Sequence, residues 1–104
     1  MDDTMSAQGR RDYELTVNGW VVQAATEAEK PLVEEARRLG ADWAAKHPAA
    51  AGDEGVYAEL EAVYRESEQA RKRRGLVGPE VDGVMTPEAA VFEAAWIVGA
   101  LRQR

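Results

Sequence analysis

The sequence predicts an α+β fold that is mostly helical, in which an N-terminal β-hairpin precedes three helices. Two observations support this prediction. An Asn-Gly pair stands between two apolar runs in YELTVNGWVVQA, residues 13–24, and from residue 26 onwards apolar side chains recur at helical spacing. A chain of 104 residues has the length of one domain. We therefore expect residues 12–104 to form a single domain after a flexible tail at residues 1–11.

The predicted hairpin spans about residues 12–25 and turns at Asn18-Gly19. A two-residue type I′ turn needs positive φ at both central positions, which Asn tolerates and Gly adopts freely. A turn there pairs Val17 with Trp20 and places most of the apolar side chains on one face of the hairpin, with mainly polar side chains on the other. Trp20 then lies at the tip of the hairpin, where it is a candidate contact for a partner.

The first helix is predicted over about residues 26–47. Thr26 and Glu29 have the spacing of a capping box, but Pro31 is best tolerated within a first helical turn. Two starts therefore stay open: a helix from Thr26 with a distorted first turn, or a regular helix from near Lys30. The apolar stripe of an amphipathic helix follows, with Leu32, Ala36, Leu39 and Trp43 along its centre.

The second helix is predicted over about residues 54–74, and RKRR at residues 71–74 forms its last turn. Positive side chains in that position complement the negative end of the helix dipole. Gly75 follows directly, as expected for a residue that ends a helix in the left-handed conformation. The apolar stripe of this helix consists of Val56, Leu60, Val63, Ser67 and Ala70, with Tyr57 and Tyr64 beside it.

The third helix is predicted over about residues 87–102, with Thr86 as its N-cap and Pro87 in its first position. Glu93 is the only charged residue in the apolar stretch AAVFEAAWIVGAL. A helix that is apolar on nearly all sides must be buried, so it is either the central helix of the fold or the seam of a homodimer. For a homodimer the interface candidates are Phe92, Trp96, Ile97 and Leu101.

The composition argues against catalysis and against a metal or cofactor site. The chain has no cysteine, which excludes thiol chemistry and cysteine ligands, and His47 is its single histidine. The many carboxylates alternate with basic residues, as on a solvated helix surface. No Gly-rich phosphate-binding motif is present. We therefore expect a non-enzymatic protein with no catalytic residues, no metal ligands and no cofactor.

The sequence predicts neither a secretory signal nor a membrane-spanning segment. The N-terminal stretch MDDTMSAQGRR contains no apolar core, and no apolar run reaches the ~18 residues of a spanning helix. We therefore expect a cytoplasmic protein that makes no membrane contact.

The charge distribution bears on the kind of partner. A net charge of −6 argues against general binding to nucleic acid. The exception is the basic block of residues 71–74, which fits three interpretations. It complements the helix dipole, it contacts an acidic protein, or it contacts nucleic acid.

By elimination, the sequence predicts a small acidic protein-binding module of the accessory, regulatory, immunity or inhibitor type. We expect it to act through an apolar surface formed by a helix and the hairpin. Two alternatives stay open: a nucleic-acid-binding regulator that uses RKRR, and a small-molecule binder with an aromatic pocket between helices. The partner-binding candidates are Trp20, Tyr57, Tyr64, Arg71, Lys72, Arg73 and Arg74, and a pocket would also draw on Trp43 and Trp96.

Overall fold

The structure, a computed structural model, describes residues 7–47 and 52–102, and the side chains of residues 15–47 and 59–102. These residues form α1 (Ala7–Ala24), a 3₁₀ turn (Glu27–Glu29), α2 (Lys30–Lys46), α3 (Gly52–Arg74) and α4 (Pro87–Arg102). No β-strand occurs among them, so the described part of the chain is all-helical. None of the helices in the described ranges combines the length and the apolar character needed to cross a membrane.

The predicted β-hairpin at residues 12–25 is wrong, because Asn18 and Gly19 lie inside α1. Gly19 does not have the positive φ that a type I′ turn requires. Val17 and Val21, one turn apart on this helix, face the core. Val17 packs against the core and Val21 is 1% exposed. α1 begins at Ala7, within the segment expected to be a flexible tail, and residues 1–6 lie outside the described residues.

The start of α2 combines the two starts that the sequence left open. The Thr26 side chain accepts a hydrogen bond from the Glu29 backbone N–H at 3.3 Å, and the Thr26 N–H donates to Glu29 Oε1 at 2.9 Å. This is the predicted capping box, and it encloses a 3₁₀ turn. The regular α-helix then begins at Lys30 with Pro31 in its first turn, where a missing N–H costs nothing.

The end of α3 and the start of α4 confirm two predictions from local sequence. Gly75 has φ +82°, its N–H donates to the Lys72 carbonyl at 3.0 Å, and the Leu76 N–H donates to the Arg71 carbonyl at 3.2 Å. These two bonds form a Schellman motif. At α4, Thr86 Oγ1 accepts a hydrogen bond from the Ala89 N–H at 3.2 Å and caps the helix.

Helix α4 is the central helix of the fold, and α1, α2 and α3 all pack against it. The residues named as candidates for a homodimer seam therefore lie in the core of a single copy. Most of the helix is buried, including Phe92, Trp96, Ile97 and Leu101.

Helices α2 and α4 approach each other so closely that their backbones touch. A Cβ atom added at Gly40 would overlap the carbonyl oxygen of Trp96, and one added at Gly99 would overlap the carbonyl oxygen of Arg37. Each glycine therefore makes room for the backbone of the opposite helix. This reciprocal contact fixes the crossing point of α2 on α4.

Replacing Gly19 with Ala tests whether this segment is helix or hairpin. We expect Gly19→Ala to raise the free energy of unfolding by about 0.5–1 kcal/mol, because Ala favours a helix interior and nothing lies near the added methyl group. Gly75→Ala is the matched control, since its site is equally open but its φ is +82°, and it should destabilise. Urea denaturation followed by circular dichroism measures both. Destabilisation by Gly19→Ala would contradict the helix.

Replacing Gly40 with Ala tests the contact between α2 and α4. Helix propensity alone would stabilise this variant by about 1 kcal/mol. The clash with the Trp96 carbonyl should outweigh that gain and produce a net destabilisation of about 1–3 kcal/mol. The same denaturation measurement shows whether the free energy of unfolding rises or falls. Gly19→Ala is the control, because its added methyl group meets no other atom within 4 Å. A stabilised Gly40→Ala variant would show that the helices are further apart.

Candidate functional site

Arg71, one of the predicted partner-binding residues, is buried at 1% exposure and binds inside the chain. Its Nη2 atom donates to Glu80 Oε2 at 2.6 Å, its Nη1 atom donates to the Leu76 carbonyl at 3.0 Å, and its Nε atom donates to Glu93. The guanidinium also lies so close to Gly78 that a Cβ there would overlap it. Arg71 therefore joins α3 to α4 and to the connection before α4, and it is not available to a partner.

The two carboxylates of this cluster have opposite pKa shifts. The hydrogen bond from Arg71 holds the pKa of Glu80 below its usual value, because Arg71 stabilises the ionised form. Burial raises the pKa of Glu93 above its usual value, and its bond to Arg71 offsets only part of that desolvation. For Arg71, desolvation would lower the pKa, but the bonds to Glu80 and Glu93 raise it overall. The pKa shifts of the two carboxylates differ in direction because the side chains differ in burial: Glu93 is mostly buried and Glu80 is partly exposed.

The other three residues of the basic block also pair with carboxylates. Lys72 Nζ lies 3.5 Å from Glu68, one turn earlier on α3. Arg73 Nη2 lies 3.8 Å from Glu66, and Arg74 Nε donates to Glu35 of α2 at 2.9 Å. The block RKRR is therefore a set of intramolecular ion pairs, which weakens the case for it as a free basic surface.

Two predicted binding residues, Trp20 and Tyr64, line one groove on the surface of α4. We call this cavity of about 410 Å³ the α1–α3–α4 groove. Its walls come from Trp20 on α1 and Tyr64 on α3, which are 46% and 58% exposed. The groove exists because α1 and α3 each pack chiefly on α4. Its lining is mainly apolar and includes Val17, Trp20, Tyr64, Met85, Glu93 and Ile97.

Glu93 supplies the carboxylate of the groove. Its side chain is 13% exposed, and one of its oxygens accepts the bond from Arg71. A separate depression that Tyr64 also lines contains two more carboxylates, Glu61 and Glu68, and one cation, Arg65. The surface around Tyr64 thus combines aromatic area with the Glu93 carboxylate and with a neighbouring set of mixed charges.

A second cavity, of about 240 Å³, lies between α2, α3 and α4. Trp43 and Trp96 both line it, with ring centroids 5.4 Å apart and planes tilted by 47°. His47 stacks on the outer side of Trp43 at 4.6 Å, and its Nδ1 atom is 2.8 Å from the Trp43 carbonyl oxygen. Arg73 and Arg74 lie at the rim. Of the aromatic residues expected to line a pocket between helices, Trp43 and Trp96 line this cavity, whereas Trp20 and Tyr64 line the α1–α3–α4 groove.

One expected site residue has no described side chain, and the sequence prediction missed one important residue. The Tyr57 side chain lies outside the described residues. Within the described ranges, no group of three or more His, Asp or Glu side chains is arranged to hold a metal ion. The missed residue is Glu93, and its signal was in the sequence, because a single charge in an otherwise apolar central helix requires a buried partner.

Comparisons with protein-family models, with curated proteins and with solved structures found no significant match to this chain.

Neutralising Arg71 and Arg73 separately tests their different roles. We expect Arg71→Gln to destabilise the protein by about 3–5 kcal/mol, because it leaves the mostly buried Glu93 carboxylate without its cation. Arg73→Gln removes an exposed pair and should change stability by less than about 0.5 kcal/mol. Urea denaturation measures both variants. Equal effects would contradict the structural role of Arg71.

Proposed function

We propose that this chain is a small non-enzymatic protein-binding module that binds a segment of another protein in the α1–α3–α4 groove. The observation that supports this proposal is the pair of large, half-exposed aromatic side chains, Trp20 and Tyr64, on one groove. Trp and Tyr are enriched among the residues that contribute most to protein–protein affinity. An accessory, regulatory, immunity or inhibitor protein in the cytoplasm fits this mode of action.

The size of the aromatic contribution indicates what else a partner must contact. A fully covered Trp or Tyr buries about 150–250 Å², and roughly half of each side chain is exposed here. Covering both therefore removes on the order of 200 Å² from water, which contributes about 5 kcal/mol. Association costs about 4–15 kcal/mol, so the aromatic pair alone gives little net affinity. A stable partner must also contact the floor and the rim of the groove.

The nucleic-acid alternative has less support. Each of the four basic residues at 71–74 has a carboxylate partner inside the chain, and the net charge is −6. Phosphate binding would first have to displace these carboxylates. A homodimer formed through the apolar face of α4 is not part of the proposal either, because that face is covered by the chain itself.

A small-molecule binder is a second candidate function, and the second cavity supports it. The volume of about 240 Å³ suits a small ligand, with Trp43 and Trp96 as apolar walls and Arg73 and Arg74 at the rim. Such a ligand would be a small aromatic anion, because its ring would pack on the indoles and its charge would compete with Glu66 and Glu35 for the guanidinium groups.

The protein-binding proposal predicts that capture of a partner depends on the groove. Tagged wild-type protein, a Trp20→Ala/Tyr64→Ala double variant and a Val77→Ala/Val84→Ala control are used as baits in lysate of the host cell. The control removes two exposed apolar side chains that do not line the groove. We expect wild type and control to retain one stoichiometric protein, and the groove variant to lose it. With the purified partner, calorimetry should show an affinity at least about 30-fold weaker for the groove variant.

Two results would overturn this proposal. One is a partner that the groove variant binds as tightly as wild type does. The other is the absence of any stoichiometric protein with wild type and control. In the second case, stabilisation of wild type by indole-3-carboxylate in a thermal-shift assay would support the small-molecule candidate.

A further inference from the structure

We propose that the α1–α3–α4 groove recognises a cationic side chain of its partner, with arginine preferred over lysine. The charged group would lie against the aromatic faces of Trp20 and Tyr64 and point towards the Glu93 carboxylate. This inference rests on the proposed protein-binding function and specifies the chemistry of the partner.

The cluster of Arg71, Glu80 and Glu93 beneath the groove contains more negative than positive charge. Arg71 contributes one positive charge, and it is shared by two carboxylates, Glu80 and Glu93. The cluster therefore carries an excess of one negative charge, and Glu93 lines the groove. Glu93 is mostly buried and shares the single charge of Arg71 with Glu80, so a second cation on the groove side of Glu93 would be favourable. The burial that raises the pKa of Glu93 agrees with this incomplete compensation.

The Glu93 side chain is already held in place by hydrogen bonding within the chain. Its Oε2 atom accepts the Nε hydrogen bond of Arg71, and the guanidinium is itself held by Glu80 and by the Leu76 carbonyl. A carboxylate fixed in this way does not lose side-chain freedom when it binds a cation.

The aromatic walls of the groove, Trp20 and Tyr64, also favour a cation. Cations are attracted to the faces of Trp and Tyr rings, and a planar guanidinium also stacks on them, which favours arginine over lysine. At the rim beside Tyr64, Glu61 and Glu68 lie with Arg65, and Lys72 pairs with Glu68 at 3.5 Å, so positive and negative charges balance there. A positively charged segment is attracted by the Glu93 carboxylate in the groove and, at longer range, by the net charge of −6.

A pair of small probes tests this inference on the full chain. N-acetyl-arginine methylamide carries the guanidinium, and N-acetyl-citrulline methylamide has nearly the same shape without the charge. Each is titrated into isotopically labelled protein, and the indole N–H resonance of Trp20 is followed by NMR. We expect a saturable shift with the arginine probe, with a dissociation constant at least about 10-fold lower than that of the citrulline probe. Added salt should weaken the arginine binding alone.

Three variants locate the binding to these residues. Glu93→Gln should remove the preference for the arginine probe over citrulline. Because that variant also loses the partner of Arg71 and can unfold, Tyr64→Leu is the second variant. It keeps an apolar side chain at an exposed position but removes the ring, and it should weaken arginine binding several-fold. Tyr64→Phe is its control, and it should bind like wild type.

The inference is overturned if the two probes shift Trp20 equally, if neither shifts it, or if Tyr64→Leu binds the arginine probe like wild type. None of these outcomes affects the protein-binding proposal, which depends on capture of a partner. Conversely, selective arginine binding without a captured partner would retain the cation site and overturn the proposed function.

Discussion

The contact between the backbones of α2 and α4 at Gly40 and Gly99 is the constraint on which the rest of the fold depends. A helix as apolar as α4 must be covered on all sides, and the chain has only three other helices in its described part. Because α2 lies directly against the α4 backbone, it covers its side of α4 with small residues, including Ala36 and Gly40. Helices α1 and α3 cover the other sides of α4 and pack chiefly on it. The groove between them is a consequence of that arrangement, and side chains from α1 and α3 form its walls.

The burial of α4 also explains the basic block at the end of α3. Glu93 is enclosed with the apolar helix that carries it, and a mostly buried carboxylate requires a cation. Arg71 supplies that cation, and its remaining N–H groups bind Glu80 and the Leu76 carbonyl. The connection that contains these two groups is thereby attached to α3. Arg71, the first residue of the block that most resembled a binding motif in the sequence, is therefore needed to build the core.

The predicted helix caps and helix end were confirmed, because they depend on neighbouring residues in the sequence. The predicted hairpin was wrong, because tertiary packing decides the structure of that segment. The cap at Thr26, the cap at Thr86 and the termination at Gly75 each depend on neighbouring residues, and each is present. Asn18-Gly19 is also a local signal, but a lone hairpin is marginal in water, whereas a helix here buries Val21 on α4 and lets Asn18 accept a hydrogen bond from Arg37 at 2.6 Å. Trp20 remained a surface residue for a different reason, since it is on the exposed side of a helix and not at the tip of a turn. The groove itself joins α1, α3 and α4, and nothing in the spacing of those segments predicts that they meet.

Glu93 links the fold to the proposed function, because the same carboxylate stabilises the core and faces the groove. A partner cation need not displace Arg71, since Arg71 bonds one oxygen of Glu93 and is held independently by Glu80 and the Leu76 carbonyl. A cation in the groove would nevertheless compete for the same negative charge and weaken the attraction of Glu93 for Arg71. The attraction of Glu80 for Arg71 would then matter more, because Glu80 would be its main counterion. Since Glu80 lies in the connection between α3 and α4, binding of a cation in the groove would be coupled to the packing of that connection through the Arg71 guanidinium group.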